Sequence, residues 1–266
     1  MLGWPLDHTL SPVIHNAAFR RLGLDWTYLA FAVEPKRLGA AVEGLRALGA
    51  VGANVTMPHK EEVMGHLDGL SGDARTIGAV NTVQRVGDKL IGHNTDVDGF
   101  TSFLADDAGL DVGGWSCTIL GAGGAARAVV KALERLNAGA ITVVARDRER
   151  AASLRDLAAE LRTLPWADGK SSVEAADLVI NATPLGMGNE DPMPDAELHQ
   201  RQVVVDLVYD PPQTPLVERA RAAGAAGWGG LGMLVHQAAA SLRLWSGQDP
   251  PIEAMSVAAM HALSRH

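Results

Sequence analysis

The sequence predicts an α/β chain of two domains, one of them built on a doubly wound sheet. Three observations predict it. At about 150 residues per domain, 266 residues suit two modest domains. Short β-branched runs alternate with helical patterns along most of the chain. In the second half an apolar strand, Ser116 to Leu120, runs into Gly121-Ala122-Gly123-Gly124-Ala125-Ala126, which opens a helix. With 47% hydrophobic and 20% charged residues the composition is that of an ordinary globular protein, and wholesale disorder is excluded.

Taken in order, the first half reads as a helix over Ser11 to Leu22, a strand over Thr27 to Ala32 and a helix over Pro35 to Leu48. A short strand, Ala53 to Met57, is stopped by Pro58, and Lys60 to Met64 opens a new helix. Gly78 to Val83 and Lys89 to Gly92 read as strands, and Val97 to Leu104 as a helix. This alternation favours a mostly parallel sheet. The joint between domains falls near Phe100, with no Pro/Ser linker to mark it. The second half reads as the strand Ser116 to Leu120, its glycine loop, and a helix over Ala125 to Leu136 with Val129, Val130, Leu133 and Leu136 on one face. Strands over Ile141 to Ala145, Leu178 to Ala182 and Val203 to Val208 follow, with a helix over Arg148 to Leu161 between the first two. Leu231 to Ser246, which carries Gln237, and Ile252 to Leu263 are the last helices.

Composition narrows the function classes. With 23 basic against 31 acidic side chains the net charge is −8, which opposes non-specific binding to nucleic acid or anionic membranes. Cys117 is the only cysteine, so no intrachain disulfide forms and a cytoplasmic location is expected. The most apolar stretch, Trp115 to Leu133, is interrupted by glycines, Arg127 and Lys131, and the first residues lack the pattern of a secretory signal. The nine histidines fall into no compact ligand spacing, so no metal site is expected.

The glycine loop suits a pyrophosphate. Gly121 permits the tight turn, Gly123 lets the backbone approach phosphate without a Cβ, and Ala126 keeps helix and strand close, while free N–H groups at the helix start attract an anion. After the next strand comes Arg146-Asp147-Arg148-Glu149-Arg150. Arg146 and Arg150 suit a 2′-phosphate and so favour NADP, whereas Asp147 is either a helix N-cap or the ribose ligand of an NAD site. In the first half, Asn54, Thr56, Asn81 and Asn94-Thr95-Asp96 stand at predicted strand ends, along the rim where a parallel sheet gathers ligand groups. Asp96 also suits the N-cap of the following helix. Lys60, one of only five lysines, stands in the first turn of a predicted helix, where the macrodipole disfavours a cation. Its alternatives are a surface residue and a proton-transfer group.

Several motifs together resemble the shikimate dehydrogenase family over nearly the whole chain. They are His8-Thr9-Leu10-Ser11-Pro12, Asn54-Val55-Thr56-Met57-Pro58-His59-Lys60, Gly78-Ala79-Val80-Asn81-Thr82, Asn94-Thr95-Asp96 and Gly230-Leu231-Gly232-Met233-Leu234-Val235-His236-Gln237. The glycine loop followed by Arg127, Asn181-Ala182-Thr183-Pro184 and Asp206-Leu207-Val208-Tyr209 add to the likeness.

The resemblance implies a substrate domain over 1–99 and 235–266 and a Rossmann-type NADP domain over 100–234. It implies reversible reduction of 3-dehydroshikimate to shikimate with NADPH, within aromatic amino acid biosynthesis. Thr9 and Ser11 would hold the substrate carboxylate; Thr56, Asn81, Asp96 and Gln237 would bind its hydroxyls, with Tyr209 nearby. Lys60 and Asp96 would be the catalytic acid–base pair. Gly121, Ala122, Gly123, Gly124, Ala125 and Arg127 would cradle the pyrophosphate and Arg146 with Arg150 the 2′-phosphate, with Thr183, Gly230 and Met233 also lining the cofactor. The expected partner is the small-molecule substrate alone, and the expected assembly a monomer or homodimer. Three departures from the family pattern stand out: Thr9 replaces the usual serine, Ala145 and Asp147 replace asparagine and threonine, and the chain starts close to Gly3, which predicts a shortened first strand and a locally weakened sheet. The alternatives are an NAD-preferring quinate/shikimate dehydrogenase and a nucleotide-sensing relative without turnover.

Overall fold

Met1–Gly99 together with Val235–His266 forms one unit of the chain, and Phe100–Leu234 forms the other. The structure is a computed structural model that describes residues 1–6 and 9–265.

The first unit contains the strands β1 (Leu2–Gly3), β2 (Phe31–Ala32), β3 (Gly52–Asn54), β4 (Gly69–Leu70), β5 (Thr82–Val86) and β6 (Lys89–His93). β1 pairs with β2 in parallel, and a parallel bridge from Leu2 to Val55 ties this pair to the chain just after β3. The remaining order is β3-β5-β6-β4, with β4 parallel to β6 but β3/β5 and β5/β6 antiparallel. A mostly parallel sheet was expected, and the sheet is mixed. The reason is the tight turn at Gly87-Asp88, where Gly87 takes φ +62° and folds β6 straight back on β5. Leu2, Leu38, Val42, Val55, Val63, Val83 and Leu90 form the core beneath this sheet. The helices Ser11–Leu22 and Ile252–Leu263 pack on each other.

Several predicted elements shift. The strand over Thr27 to Ala32 shrinks to β2. No α-helix starts at Lys60: Val80 N donates to the Lys60 carbonyl at 2.7 Å, so that oxygen is not free for Met64, whose N–H bonds Glu61 O at 3.3 Å instead. The segment becomes a turn followed by the 3₁₀ helix Glu62–His66. A helix not foreseen, Gly72–Ile77, ends at Gly78 with φ +70°, which delays the next strand to Thr82. The helix Asp96–Ser102 ends in a π turn, in which Ala108 N reaches back to Phe103 O.

In the second unit β7 (Ser116–Leu120), β8 (Ala140–Ala145), β9 (Leu161–Pro165), β10 (Leu178–Asn181), β11 (Val203–Asp206) and β12 (Ala226–Trp228) form one parallel sheet. Its order, β9-β8-β7-β10-β11-β12, is the doubly wound arrangement, with the reversal between β7 and β10. The predicted helix over Arg148 to Leu161 stops at Ala152; a 3₁₀ turn, Arg155–Leu157, leads into β9. Pairing with the open edge of β8, Ile141 opposite Leu161, overrides the helical pattern there. The helices Lys170–Ala175 and Pro215–Ala222 and the strand β12 were also not foreseen. Among the described residues no helix is long and apolar enough to cross a membrane.

Candidate active site

Asp96 opens its helix with its backbone N–H on Asn94 Oδ1 at 3.1 Å. Its side chain meets a separate donor at each oxygen: Lys60 Nζ lies 2.6 Å from Oδ2 and Asn81 Nδ2 2.8 Å from Oδ1. Asn81 Nδ2 also donates to Thr95 Oγ1 at 2.9 Å and approaches Gln237 Oε1 at 3.4 Å. Lys60, Asn81, Asp96 and Gln237, drawn from four segments, thus stand in one cluster. Asp96 and Asn81 are buried, while the Lys60 side chain keeps 19% of its surface open to solvent. The ammonium is therefore paired and still reachable, as a proton-transfer group must be. The helix-dipole argument for Lys60 does not apply, because Lys60 precedes the 3₁₀ helix; the Asp96 carboxylate is what holds the cation.

Gln237 reaches the cluster because Gly99 has no side chain. A Cβ on Gly99 would lie 2.7 Å from the Gln237 backbone nitrogen and 2.8 Å from its Cα. Behind the cluster a second polar layer was only partly visible in the sequence. Thr82, Thr95, Asn54 and Ser241 bond one another at 2.8 to 3.1 Å, and the Tyr28 hydroxyl donates to Asn54 Oδ1 at 2.6 Å. Burial raises the Tyr28 phenol, and the Ser11 side chain beside it works the other way. Sequence reasoning missed Tyr28, Thr82 and Ser241; the one available signal for Ser241 was its position one helical turn beyond Gln237.

The other expected substrate residues are placed less tightly. Thr9 Oγ1 accepts from Ser11 N at 3.3 Å and lies 3.3 Å from Met1 Sδ. Ser11 is buried. His8, the start of that motif, lies outside the described residues. Thr56 packs its methyl against Gly3, where a Cβ would stand 2.4 Å from Thr56 Cγ2. Among the described residues these contacts of Thr9 and Thr56 do not run to the Lys60 cluster. Tyr209 belongs to the second unit, and burial raises its phenol.

In the second unit the glycine loop stands at the carboxyl end of β7, beside the sheet's switch point. Gly121 takes φ +108°, and a Cβ there would meet Thr183 Cγ2 at 2.9 Å and Ala182 O at 3.1 Å. Only glycine satisfies both conditions. The helix Gly124–Arg135 begins with Gly123 as a cap that offers no side-chain acceptor and has no acidic residue in its first turn. Its initial N–H groups suit a diphosphate, and Ala122, Gly123, Gly124 and Ala125 leave the backbone accessible. Thr183 is fixed by its hydroxyl on Asn181 Oδ1 at 2.7 Å, and Asn181 in turn donates to Asp206 Oδ1 at 2.9 Å. Burial raises the Asp206 carboxyl, while hydrogen bonds from Thr214, Val208 and Asn181 favour its ionised form. Gly230 is pressed against the Leu207 carbonyl, where a Cβ would lie 2.1 Å from the oxygen. Met233 is buried.

At the end of β8 the Arg146 guanidinium sits over the Trp166 ring, 5.0 Å from its centroid, a contact set up by the neighbouring pair Ala145 and Pro165. Asp147 Oδ1 accepts from both Glu149 N and Arg150 N at 3.0 Å. Of its two expected roles, the N-cap is the one observed. Arg127 Nη1 donates to Ser153 Oγ at 2.9 Å, which ties it to the C-cap of the helix Arg148–Ala152. Among the described residues no group of three or more His, Cys, Asp or Glu is gathered to hold a metal ion.

With this geometry in place, three family models match the chain. Residues 1–83 match the shikimate dehydrogenase substrate binding domain, residues 104–207 the shikimate / quinate 5-dehydrogenase model, and residues 230–259 the shikimate 5'-dehydrogenase C-terminal domain. A Methanopyrus kandleri protein named shikimate dehydrogenase (NADP(+)) is 44% identical over 99% of this chain and 94% of its own. The shikimate 5-dehydrogenase of Thermus thermophilus, solved in complex with NADP(H) and shikimate, superposes with a TM-score of 0.88 at 35% identity, covering 98% of both chains. The quinate dehydrogenase of Corynebacterium glutamicum, solved in complex with NAD, also reaches 0.88, at 29% identity over 98% of this chain and 97% of its own.

Proposed function

Because the chain belongs to the shikimate dehydrogenase family, we propose that it reversibly reduces 3-dehydroshikimate to shikimate with NADPH, using Lys60 and Asp96 as its acid–base pair. The observation that carries this reading is the Lys60-Asp96-Asn81 constellation, an ammonium held at 2.6 Å by a carboxylate whose other oxygen is bound at 2.8 Å by an amide. NADPH supplies the hydride when bound. Lys60 Nζ delivers the matching proton to the substrate oxygen and retrieves it in the reverse direction. Asp96 keeps the ammonium in line and accepts from the neighbouring substrate hydroxyl, while Asn81 and Gln237 hold the remaining hydroxyls. Thr9 and Ser11 take the carboxylate, with Thr56 and Tyr209 completing the substrate contacts.

On the cofactor side, the glycine loop from Gly121 to Ala125 with Arg127 holds the pyrophosphate, and Thr183, Gly230 and Met233 line the nicotinamide end. Arg146 and Arg150 take the 2′-phosphate. The engagement of Asp147 as an N-cap supports NADP over an NAD site with Asp147 on the ribose. The likeness to a quinate dehydrogenase keeps a quinate and NAD enzyme as the second reading. A cytoplasmic location also belongs to the proposal, supported by the single buried cysteine.

The test is a spectrophotometric assay at the absorbance of the reduced nicotinamide, pairing shikimate or quinate with NADP or NAD. The highest kcat/KM is expected for shikimate with NADP. A preference for quinate with NAD would overturn the assignment in favour of the second reading, and no turnover with any pair would leave a nucleotide-binding relative without catalysis.

A further inference from the structure

Ser241 lies in the helix Leu231–Ser246, and its hydroxyl is fully buried among side chains that arrive from distant segments. Asn54 Nδ2 donates to it at 2.9 Å, and the hydroxyls of Thr82 and Thr95 lie 2.8 and 3.1 Å away. Ser241 has one proton, and the Gln237 carbonyl accepts it at 3.0 Å. Its oxygen is then left as acceptor for the Asn54 amide and for one threonine hydroxyl. The other threonine hydroxyl donates to Asn81 Oδ1, which lies 3.1 Å from Thr82 Oγ1 and 3.2 Å from Thr95 Oγ1. Asn81 Oδ1 also receives the Thr95 backbone N–H at 2.7 Å. Two donors thus fix which end of the Asn81 amide is oxygen, and the same orientation aims Nδ2 at Asp96 Oδ1.

We propose that Ser241 is a positioning residue for the acid–base pair: through the two threonine hydroxyls it sets the orientation of Asn81, and through Asn81 the rotation of the Asp96 carboxylate that holds Lys60. The inference rests on the assignment of proton transfer to Lys60 and Asp96. Without the Ser241 oxygen, one threonine hydroxyl loses its acceptor and Asn54 Nδ2 is left with Thr82 Oγ1 at 3.0 Å and the Asn81 backbone carbonyl at 3.3 Å, so the two hydroxyls that abut Asn81 Oδ1 rearrange. The carboxylate then turns and the ammonium leaves its line to the substrate oxygen, a misplacement of the kind that slows chemistry about 10- to 100-fold.

The experiment compares Ser241→Ala, Ser241→Cys and Ser241→Thr with the parent enzyme, scoring kcat, equilibrium binding of shikimate, KM for NADP, the pH profile of kcat/KM and the folded fraction by circular dichroism. Ser241→Ala is expected to lose about 10- to 100-fold in kcat, with shikimate affinity within about threefold, an unchanged NADP KM and a displaced pH profile. Ser241→Thr, which keeps the hydroxyl, is expected to recover most of the loss, and Ser241→Cys, a poor acceptor, to fall between. If Ser241→Ala does not fold, the Thr and Cys pair carries the same comparison. A kcat within twofold of the parent, a loss that merely follows the folded fraction, or an unmoved pH profile overturns the proposal. Lys60→Ala measured alongside separates the two levels: if it retains kcat, the acid–base assignment fails; if it is inactive while Ser241→Ala is normal, only the positioning role fails.

Discussion

His15 is fully buried in the helix Ser11–Leu22 and stacks on Tyr28, with ring centroids 4.3 Å apart and 7° between the planes. Among the described residues neither ring nitrogen has a hydrogen-bond partner, and burial pushes the imidazole from 6.5 down to about 3, an effect that the nearby Asn54 side chain only partly opposes. The folded protein therefore refuses a proton that the unfolded chain takes up near pH 6.5. The sign follows directly. The contribution of His15 is fully present above the unfolded value and is lost as the pH falls toward the folded one, at about 1.4 kcal/mol per pH unit. Between pH 7 and pH 5 this amounts to roughly 2 kcal/mol. His15→Phe keeps a ring against Tyr28 and removes the titration. Urea unfolding followed by tryptophan fluorescence at pH 7 and pH 5 is expected to show a stability drop about 2 kcal/mol smaller in the variant than in the parent. Because each protein is compared with itself, any repacking penalty cancels. Equal drops in both proteins, or an imidazole that titrates near 6.5 by NMR in the folded parent, would refute the reasoning.

Four further outcomes are expected. Lys60→Ala should lower kcat by about 10² to 10⁴ with shikimate affinity changed only a few-fold, and Lys60→Arg should fail similarly because a guanidinium keeps its proton, both checked by steady-state kinetics and equilibrium binding. Arg146→Ala should reduce the NADP-over-NAD ratio of kcat/KM by about 10- to 100-fold, since a charge-assisted hydrogen bond contributes about 1.5 to 3 kcal/mol, whereas Trp166→Leu should reduce it only about two- to fivefold through the lost cation–π contact. Asp147→Asn should keep both cofactor preference and stability, while Asp147→Ala should lower the melting temperature by removing an N-cap that contributes about 1 kcal/mol. Gly99→Ala should cost about 1 to 3 kcal/mol in thermal unfolding and impair turnover, because its Cβ meets Gln237 backbone rather than a movable side-chain tip.

What could be read from the sequence was whatever announces itself locally. The glycine loop between β7 and its helix is such a case, because turn, strand and helix start lie within a few residues. Asn81 and Asp96 stand out in the sequence as polar residues at predicted strand ends and Lys60 as a cation in a predicted first turn, whereas Gln237 joins them only through the motif resemblance. β9 was invisible because its residues are held by the edge of β8, and local preference gives no hint of that edge. The antiparallel β5/β6 hairpin depends on the turn at Gly87-Asp88, and the alternation of strands and helices that favours a parallel sheet does not show it. The local pattern puts Lys60 in a helix because nothing near it in sequence shows that Val80 occupies its carbonyl. Ser241 and His15 were silent for a related reason: Asn54 and Ser241 are 187 residues apart in sequence, and only the folded chain reveals what each hydroxyl or imidazole faces.

The unit that carries Lys60 and Asp96 is assembled from both ends of the polypeptide, with the whole of Phe100–Leu234 inserted between its parts. On the ribosome, the residues of the second unit emerge as one uninterrupted stretch, complete before residues 235–266 are made. The strands of the first unit emerge before them but wait for Gln237, for the Ser241 hydroxyl and for Trp245, whose indole donates to the Val83 carbonyl at 3.0 Å. Until the helix Leu231–Ser246 is released, Asn54 and Thr82 lack the Ser241 hydroxyl as a partner, so all residues of the second unit are synthesised before the Lys60-Asp96 cluster receives its last members. A stop between Leu234 and Gln237 therefore removes Gln237, Ser241 and Trp245 together, while every strand of the six-stranded parallel sheet is still encoded.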